Sequence, residues 1–163
     1  MEATTALKVE IKEFPERTLA YISHTGPYKG DAELFGKLFT KALDWIQTEG
    51  LANNPKMETI TVYHDSETVP IDQQRISVGY TINEDREPNE EIKMLTLPKG
   101  KYLVGSFEIL PTEYETAWFE IFDYLKTEKL TLSDGPMYES YKNDPTQHPE
   151  GKHIVDICLA LKN

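Results

Sequence analysis

The sequence predicts an α+β fold: two pseudo-symmetric β-α-β-β units that form a mostly antiparallel sheet, with helices packed on it. Strand-like and helix-like patterns follow one another in the same order in both halves. In addition, a shift of about 79 positions superposes the apolar faces of two predicted strands, placing Ile76, Val78, Tyr80 and Ile82 on Val155, Ile157, Leu159 and Leu161. Because ligands often bind where two units join, a ligand groove is expected at the junction.

The first predicted unit covers residues from about 6 to 83. Its helix is expected from about Asp31 to Thr48, because apolar residues recur three and four positions apart and Gly50 follows them. Alternating apolar and polar residues predict the extended segments, which are Lys8–Phe14, Leu19–Thr25, Met57–His64 and Arg75–Ile82.

A polar, acidic linker at about 83–91 leads to the second predicted unit, at about 92–163. Its helix begins after Pro111, where Thr112 and Glu115 have the spacing of a capping box. Residues 133–136 are expected to form a loop before a short strand that carries Glu139. The other extended segments are Ile92–Leu97, Tyr102–Leu110 and His153–Leu161. The whole chain, residues 1–163, is expected to form a single domain.

The composition narrows the classes of function. The chain has 17 basic and 28 acidic residues and a formal net charge of −11. This charge argues against direct binding of nucleic acid or an anionic membrane surface, and it suits a neutral or cationic ligand. The single cysteine, Cys158, excludes an intrachain disulfide, and neither a signal peptide nor a membrane-spanning stretch is expected, so a cytoplasmic location is predicted.

Glu139 is the main candidate functional residue. Strand alternation puts it on one face with Met137 and Tyr141, and the shift of 79 positions places it on the apolar Ile60. A carboxylate in such a setting requires a partner, which a ligand cation supplies, or takes a proton and becomes a general acid or base. The alternative is a solvated acid at a strand edge, or an acid that pairs with a lysine. The histidines lack metal-ligand spacing, so no metal site or cofactor is expected.

Several segments resemble one known family. They are the stretch from Ala20 to Tyr28 before the first helix (AYISHTGPY), Val62–Asp65 with Pro70, Leu97–Tyr102 (LPKGKY), and Gly135–Tyr141 (GPMYESY) with Asn143–Pro145. In this order they are similar to the GyrI-like small-molecule-binding domain, which is also the effector-binding part of AraC- and MerR-type multidrug-responsive regulators. The resemblance implies two related units with a ligand groove, and an acidic residue that meets cationic or polar drugs among aromatic side chains. Glu139 matches that acidic residue.

The first hypothesis is therefore a stand-alone domain that senses or sequesters a cationic or amphipathic small molecule. The predicted ligand-binding residues are Glu139, Tyr21, Tyr28, Tyr63, Phe107, Trp118, Tyr138 and Tyr141, although Phe107 and Trp118 also suit a core. The second hypothesis is a hydrolase of electrophilic small molecules, with Glu139 as acid or base and Tyr141 or Tyr21 positioning the substrate. The third is an inhibitor that binds a nucleic-acid enzyme such as gyrase, which makes a protein a possible partner.

Overall fold

The computed structural model describes residues 8–65 and 68–162. These residues form two helices, three short 3-10 turns and eight strands. The helices are α1 (Ala32–Thr48) and α2 (Tyr114–Thr127), and the turns are Ile71–Gln73, Pro111–Glu113 and Pro145–Gln147. The strands are β1 (Lys8–Phe14), β2 (Arg17–Thr25), β3 (Thr59–Tyr63), β4 (Arg75–Ile82), β5 (Lys93–Leu97), β6 (Gly100–Ile109), β7 (Leu132–Tyr141) and β8 (His153–Leu161). The α+β class and the antiparallel pairing of strands are confirmed.

The chain forms two compact units. One contains the residues up to Pro15 together with those from Lys99 onward, and we call it the terminal unit. The other, Glu16–Pro98, is the central unit. Each unit contains one strand from the opposite half of the sequence. Strand β1, from the first half, pairs with β6 in the terminal unit, and β5, from the second half, pairs with β2 in the central unit. The repeat boundaries at about 83–91, and the groove at the junction, stay predictions.

In the terminal unit, strands pair in the order β1-β6-β8-β7, and α2 packs on one face of this sheet. Its core includes Ala117, Ile121 and Leu125 from the helix and alternate residues of β8 such as Ile157. The face is set by strand alternation, which turns every second side chain of β6, β7 and β8 toward α2.

In the central unit, strands pair in the order β3-β4-β2-β5, and α1 supplies the equivalent stripe of Leu38, Ala42 and Ile46. Asp31 caps α1, since its Oδ1 accepts a hydrogen bond from the Leu34 N–H at 3.0 Å. The buried residues of α1 and α2 lie 79 positions apart, as the predicted internal repeat requires.

Two local predictions were wrong. Residues 133–136 belong to β7 rather than to a loop, although the pairing with β8 shifts register between Leu132 and Met137. Thr112 does not cap α2, because a 3-10 turn precedes that helix. Instead, the Glu113 carboxylate accepts a hydrogen bond from the Leu110 N–H at 2.7 Å.

Among the described residues, no helix has the length and apolar character needed to cross a membrane.

Candidate functional site

Glu139 is a buried carboxylate on the face of the terminal sheet that meets α2. Only 2% of its surface is exposed. It pairs with Ile157 of β8, whose side chain lies in the core beneath α2, and its neighbours Met137 and Tyr141 on the same face pack against that core. The interpretation of Glu139 as a solvated edge residue is therefore wrong.

Two aromatic side chains hold the Glu139 carboxylate. The Trp118 Nε1–H donates a hydrogen bond to Oε2 at 2.6 Å, and the Tyr141 O–H donates to Oε1 at 2.6 Å. Trp118 reaches the strand because it lies one turn into α2, on the side of the helix that faces the sheet, and its ring contacts that of Phe122 at 6.0 Å. Hydrogen bonds to a charged acceptor are short and strong, so they offset part of the cost of burying this carboxylate.

A second hydrogen-bonded pair, Tyr114 and His153, lies beside this carboxylate. The Tyr114 hydroxyl oxygen is 2.5 Å from His153 Nδ1. Burial, and then the negative charge of Glu139, raise the pKa of the Tyr114 hydroxyl, while burial lowers the pKa of His153. The phenol therefore keeps its proton beside an imidazole that favours its neutral form, and the tautomer of that imidazole sets the direction of the hydrogen bond. We call Glu139, Trp118, Tyr141, Tyr114 and His153 the Glu139 cluster.

Sequence reasoning did not include Tyr114 or His153 among the site residues. Tyr114 falls within the predicted second helix, and His153 is the first residue of a predicted strand. One signal was present: Tyr114 and Trp118 are four residues apart, and residues with this spacing share a helix face.

Phe107 and Tyr138 also belong to the terminal unit, and both are fully buried. Phe107 lies in the core under α2. Tyr138 follows Met137 in β7 and points to the opposite face of the sheet from Glu139, where its ring meets Tyr102 edge-on at 6.0 Å. Ligand contacts for these two residues stay predictions.

The remaining predicted ligand-binding residues, Tyr21, Tyr28 and Tyr63, belong to the central unit. Tyr28 is buried, and its ring lies 5.7 Å from that of Tyr63 and 6.3 Å from that of Phe35. Tyr21 lies on β2, opposite Gly79 of β4. Tyr28 and Tyr63 thus form an aromatic contact, and a role for these three residues in binding stays a prediction.

The strand register also corrects the sequence superposition at Glu139. Glu139 pairs with Ile157 in the terminal unit, and Thr61 pairs with Val78, the counterpart of Ile157, in the central unit. Thr61 is therefore the structural counterpart of Glu139, rather than Ile60. The cause is the connection between the paired strands: Tyr141 and Val155 are 14 positions apart, whereas their counterparts Tyr63 and Ile76 are 13 apart.

The Glu139 cluster combines one negatively charged hydrogen-bond acceptor, the carboxylate, with aromatic rings and uncharged hydrogen-bond donors. Such a set can attract a cation through its charge and ring faces, and it can exchange a proton through a hydroxyl. Among residues 8–65 and 68–162, no group of three or more histidine, cysteine or acidic side chains is arranged to hold a metal ion.

Comparisons with known proteins give the family and the fold of this chain. The chain is 28% identical over 156 residues to YosT, an SPbeta prophage-derived protein of Bacillus subtilis (strain 168) named as a candidate transcriptional regulator, covering 96% of this chain and 100% of YosT. Its fold is similar to the C-terminal domain of EcmrR, with a TM-score of 0.81, 15% identity and coverage of 96% and 98% of the two chains. It is also similar to SAV2435, solved bound to tetraphenylphosphonium, with a TM-score of 0.64, 14% identity and coverage of 96% and 95%.

The family assignment rests on a match over most of the sequence. The description of the matching family is "GyrI-like small molecule binding domain", and the match extends over residues 7–162. This chain belongs to the GyrI-like family of small-molecule binding domains.

Proposed function

We propose that this chain binds an amphipathic organic cation and that Glu139 is the anionic anchor for it. The observation that carries the proposal is a carboxylate with 2% exposure, held at 2.6 Å by an indole and at 2.6 Å by a phenol. Both donors are neutral, so the bonds satisfy the oxygens without cancelling the charge. Aromatic rings beside a carboxylate favour a cation with an apolar body, through charge and through cation–π attraction.

The closed state of the cluster implies movement on binding. Trp118 and Tyr141 each cover one carboxylate oxygen, so a ligand that reaches Glu139 displaces at least one of them. Trp118 and Tyr141 are both only partly buried, so either side chain has a path toward solvent. SAV2435, which shares the fold, binds tetraphenylphosphonium, and this quaternary cation cannot donate hydrogen bonds. That chemistry matches a site that attracts charge and stacks rings.

The test is a calorimetric titration with tetraphenylphosphonium. We expect Glu139→Gln to weaken binding at least tenfold, about 1.4 kcal/mol, because it removes the charge and keeps the shape. Glu115→Gln is the matched control, because Glu115 is an exposed acid of α2, the helix that carries Trp118, and this variant is expected to bind within twofold of the unchanged chain. Triphenylphosphine oxide, a neutral molecule of similar shape, is expected to bind weakly to all three. Equal affinity in Glu139→Gln contradicts the proposal.

Hydrolysis is the second candidate, favoured by the direct hydrogen bond between Tyr141 and Glu139. A carboxylate that accepts a hydrogen bond from a phenol can act as a general base, and the phenol hydroxyl can pass on the proton that the base takes up. This function predicts that the chain hydrolyses an electrophilic ester or epoxide. It also predicts that Glu139→Gln abolishes this turnover, and that tetraphenylphosphonium inhibits the unchanged chain competitively. Absence of turnover across a panel of electrophiles would contradict hydrolysis, and binding would then be the remaining proposed function. Inhibition of a nucleic-acid enzyme stays a prediction from the sequence.

A further inference from the structure

Strand β1 forms one edge of the sheet in the terminal unit. In the part of the chain that the structure describes, β1 pairs with β6 along one side, and no described strand pairs with its other side. The backbone of that free side offers a row of N–H donors and C=O acceptors, which a further strand can use. The side chains of β1 therefore decide which strand the edge accepts.

The middle residue of β1, Ile11, is an exposed isoleucine. Its exposed fraction is 49%, whereas Val9 on the same face packs against the core beneath α2. The equivalent residue in the central unit is Met94 of β5, which is partly buried and packs against the core of that unit. Pairing from the edge strand inward gives this correspondence, through Leu103 and Leu159 in one unit and Ala20 and Tyr80 in the other. The core of the terminal unit thus leaves Ile11 uncovered.

Charges of alternating sign lie beside Ile11 on the other face of the strand. The Nζ atoms of Lys8 and Lys12 each lie 3.3 Å from the Glu10 carboxylate. With Glu13, the strand Lys8–Phe14 has two basic and two acidic residues and no net charge, whereas the chain as a whole has a charge of −11. Two copies of this acidic chain therefore repel each other less along β1 than along an acidic part of the surface.

The order of these charges fits a second copy of the same strand. Two identical antiparallel strands are related by a two-fold axis perpendicular to the sheet, and each side chain stays on its own face. With Ile11 on the axis, all seven residues of β1 are paired, the two isoleucines face each other, and Glu10 of each copy faces Lys12 of the other. Facing residues of opposite charge, and facing branched apolar residues, stabilise a sheet.

Other positions of the axis are less favourable. With Glu10 on the axis, the two Glu10 side chains face each other and Lys8 faces Lys12, and with Lys12 on the axis two lysines face each other. Facing like charges destabilise a sheet. An axis at Val9 pairs only three described residues of each strand. The strand therefore specifies the register centred on Ile11.

We propose that this chain forms a two-fold symmetric dimer in which β1 pairs with β1 of a second copy, with Ile11 on the axis. Because each copy contributes one strand, the interface is small, and interfaces below roughly 1,200 Å² are typical of weak, transient complexes. The edge strand of the central unit does not offer the same fit. With Met94 on an axis, Lys93 faces Leu95, so no opposite charges meet. The dimer is independent of the ligand proposed for Glu139.

The experiment is sedimentation equilibrium of the full chain between about 10 µM and 1 mM, the range of weak affinities. We expect the average mass to rise from that of one chain toward that of two. Glu10→Lys and Lys12→Glu each make like charges face, and each should weaken the dimer by roughly tenfold or more. An equimolar mixture of these two variants should associate, because every lysine then faces a glutamate. Lys93→Glu, the same charge reversal on β5, is the matched control and should dimerise like the unchanged chain.

A cysteine at position 11 tests the axis itself. Facing residues of an antiparallel pair have Cα atoms about 4.5–5.5 Å apart, a separation that a disulfide spans, so copper–phenanthroline should link Ile11→Cys into a covalent dimer. Glu13→Cys, an exposed position on the same face, is the control, because its two copies lie roughly 13 Å apart in this register. It should stay largely unlinked. The native Cys158 is 2% exposed and is not expected to react.

Three results would overturn this dimer: a chain that stays monomeric over the whole concentration range, a dimer unaffected by Glu10→Lys and Lys12→Glu, or a mixture of these variants that does not associate. A dimer that Phe119→Ser abolishes and the β1 variants leave intact would instead place the contact on α2, where Phe119 is 71% exposed. Far-UV circular dichroism checks the fold of each variant, so that only folded variants are compared.

Discussion

The terminal and central units place chemically different side chains at equivalent positions of the same scaffold. Glu139 of the terminal unit corresponds to Thr61 of the central unit, and both are buried against a sheet. On the helices, the buried residues align with a shift of 79, so the counterpart of Trp118 is Phe39. The carboxylate and the indole N–H that donates to it are thus both found in the terminal unit and both replaced in the central one.

The same comparison extends to the second hydrogen-bonded pair. The counterpart of Tyr114 is Phe35, which has no hydroxyl and packs against Tyr28. The central unit has aromatic side chains at these helix positions, whereas the terminal unit has hydrogen-bonding aromatic side chains and a buried carboxylate. The two units differ in the donor from the helix: Trp118 donates to Glu139 in the terminal unit, whereas the strand donor, Tyr141, has a tyrosine counterpart, Tyr63, in the central unit. A buried carboxylate that loses a donor becomes more costly to bury.

The largest effect is expected from moving the acid into the other unit. Thr61→Glu places a carboxylate at a fully buried position of β3, and we expect the free energy of unfolding to fall by more than about 2 kcal/mol. Adding Phe39→Trp should recover about 1 kcal/mol of that loss, because the indole N–H restores a donor. Urea unfolding followed by circular dichroism measures both. A fully stable Thr61→Glu variant would show that donors are not what distinguishes the units.

An intermediate effect is expected when the terminal unit is made to resemble the central one. Trp118→Phe keeps an aromatic ring and removes the donor to Glu139 Oε2, and it should cost about 1–3 kcal/mol of stability. Trp45→Phe, in the helix of the central unit, is the matched control, since Trp45 is a partly buried tryptophan packed against its own core. The control should lose less in the same urea measurement. Equal losses would indicate that ring size, rather than the hydrogen bond, sets the cost.

The smallest effect concerns pH and His153, whose counterpart 79 positions earlier is Gln74. Burial lowers the pKa of His153 in the folded chain below its ordinary value of 6.5, so below that pH the unfolded chain binds more protons. The contribution of neutral, buried His153 to the free energy of unfolding is therefore fully present above that pH, and it is lost as the pH falls below it. His153→Gln should flatten this decline, although His64, whose pKa burial also lowers, preserves part of it. The measurement is the free energy of unfolding in urea between pH 7 and 5. If this free energy changes with pH equally in His153→Gln and in the unchanged chain, His153 is not a source of the pH dependence.

Much of this protein followed from local sequence pattern. Strands β1, β4 and β8 have the predicted bounds, and α1 begins at the predicted cap, because alternation and helical spacing depend only on neighbouring residues. The importance of Glu139 was also visible, since an acid between Met137 and Tyr141 interrupts an otherwise apolar strand face. These features need no knowledge of which elements meet.

Tertiary structure decided what surrounds Glu139. The indole of Trp118 lies 21 positions away in sequence and reaches the carboxylate only because α2 crosses this strand. The true counterpart, Thr61, differs from the predicted one because a single extra residue in a connection shifts the register of a whole strand, and a shift of one residue exchanges its two faces. Sequence by itself determined the elements and the acid, whereas packing determined its donors, its burial and therefore its chemistry.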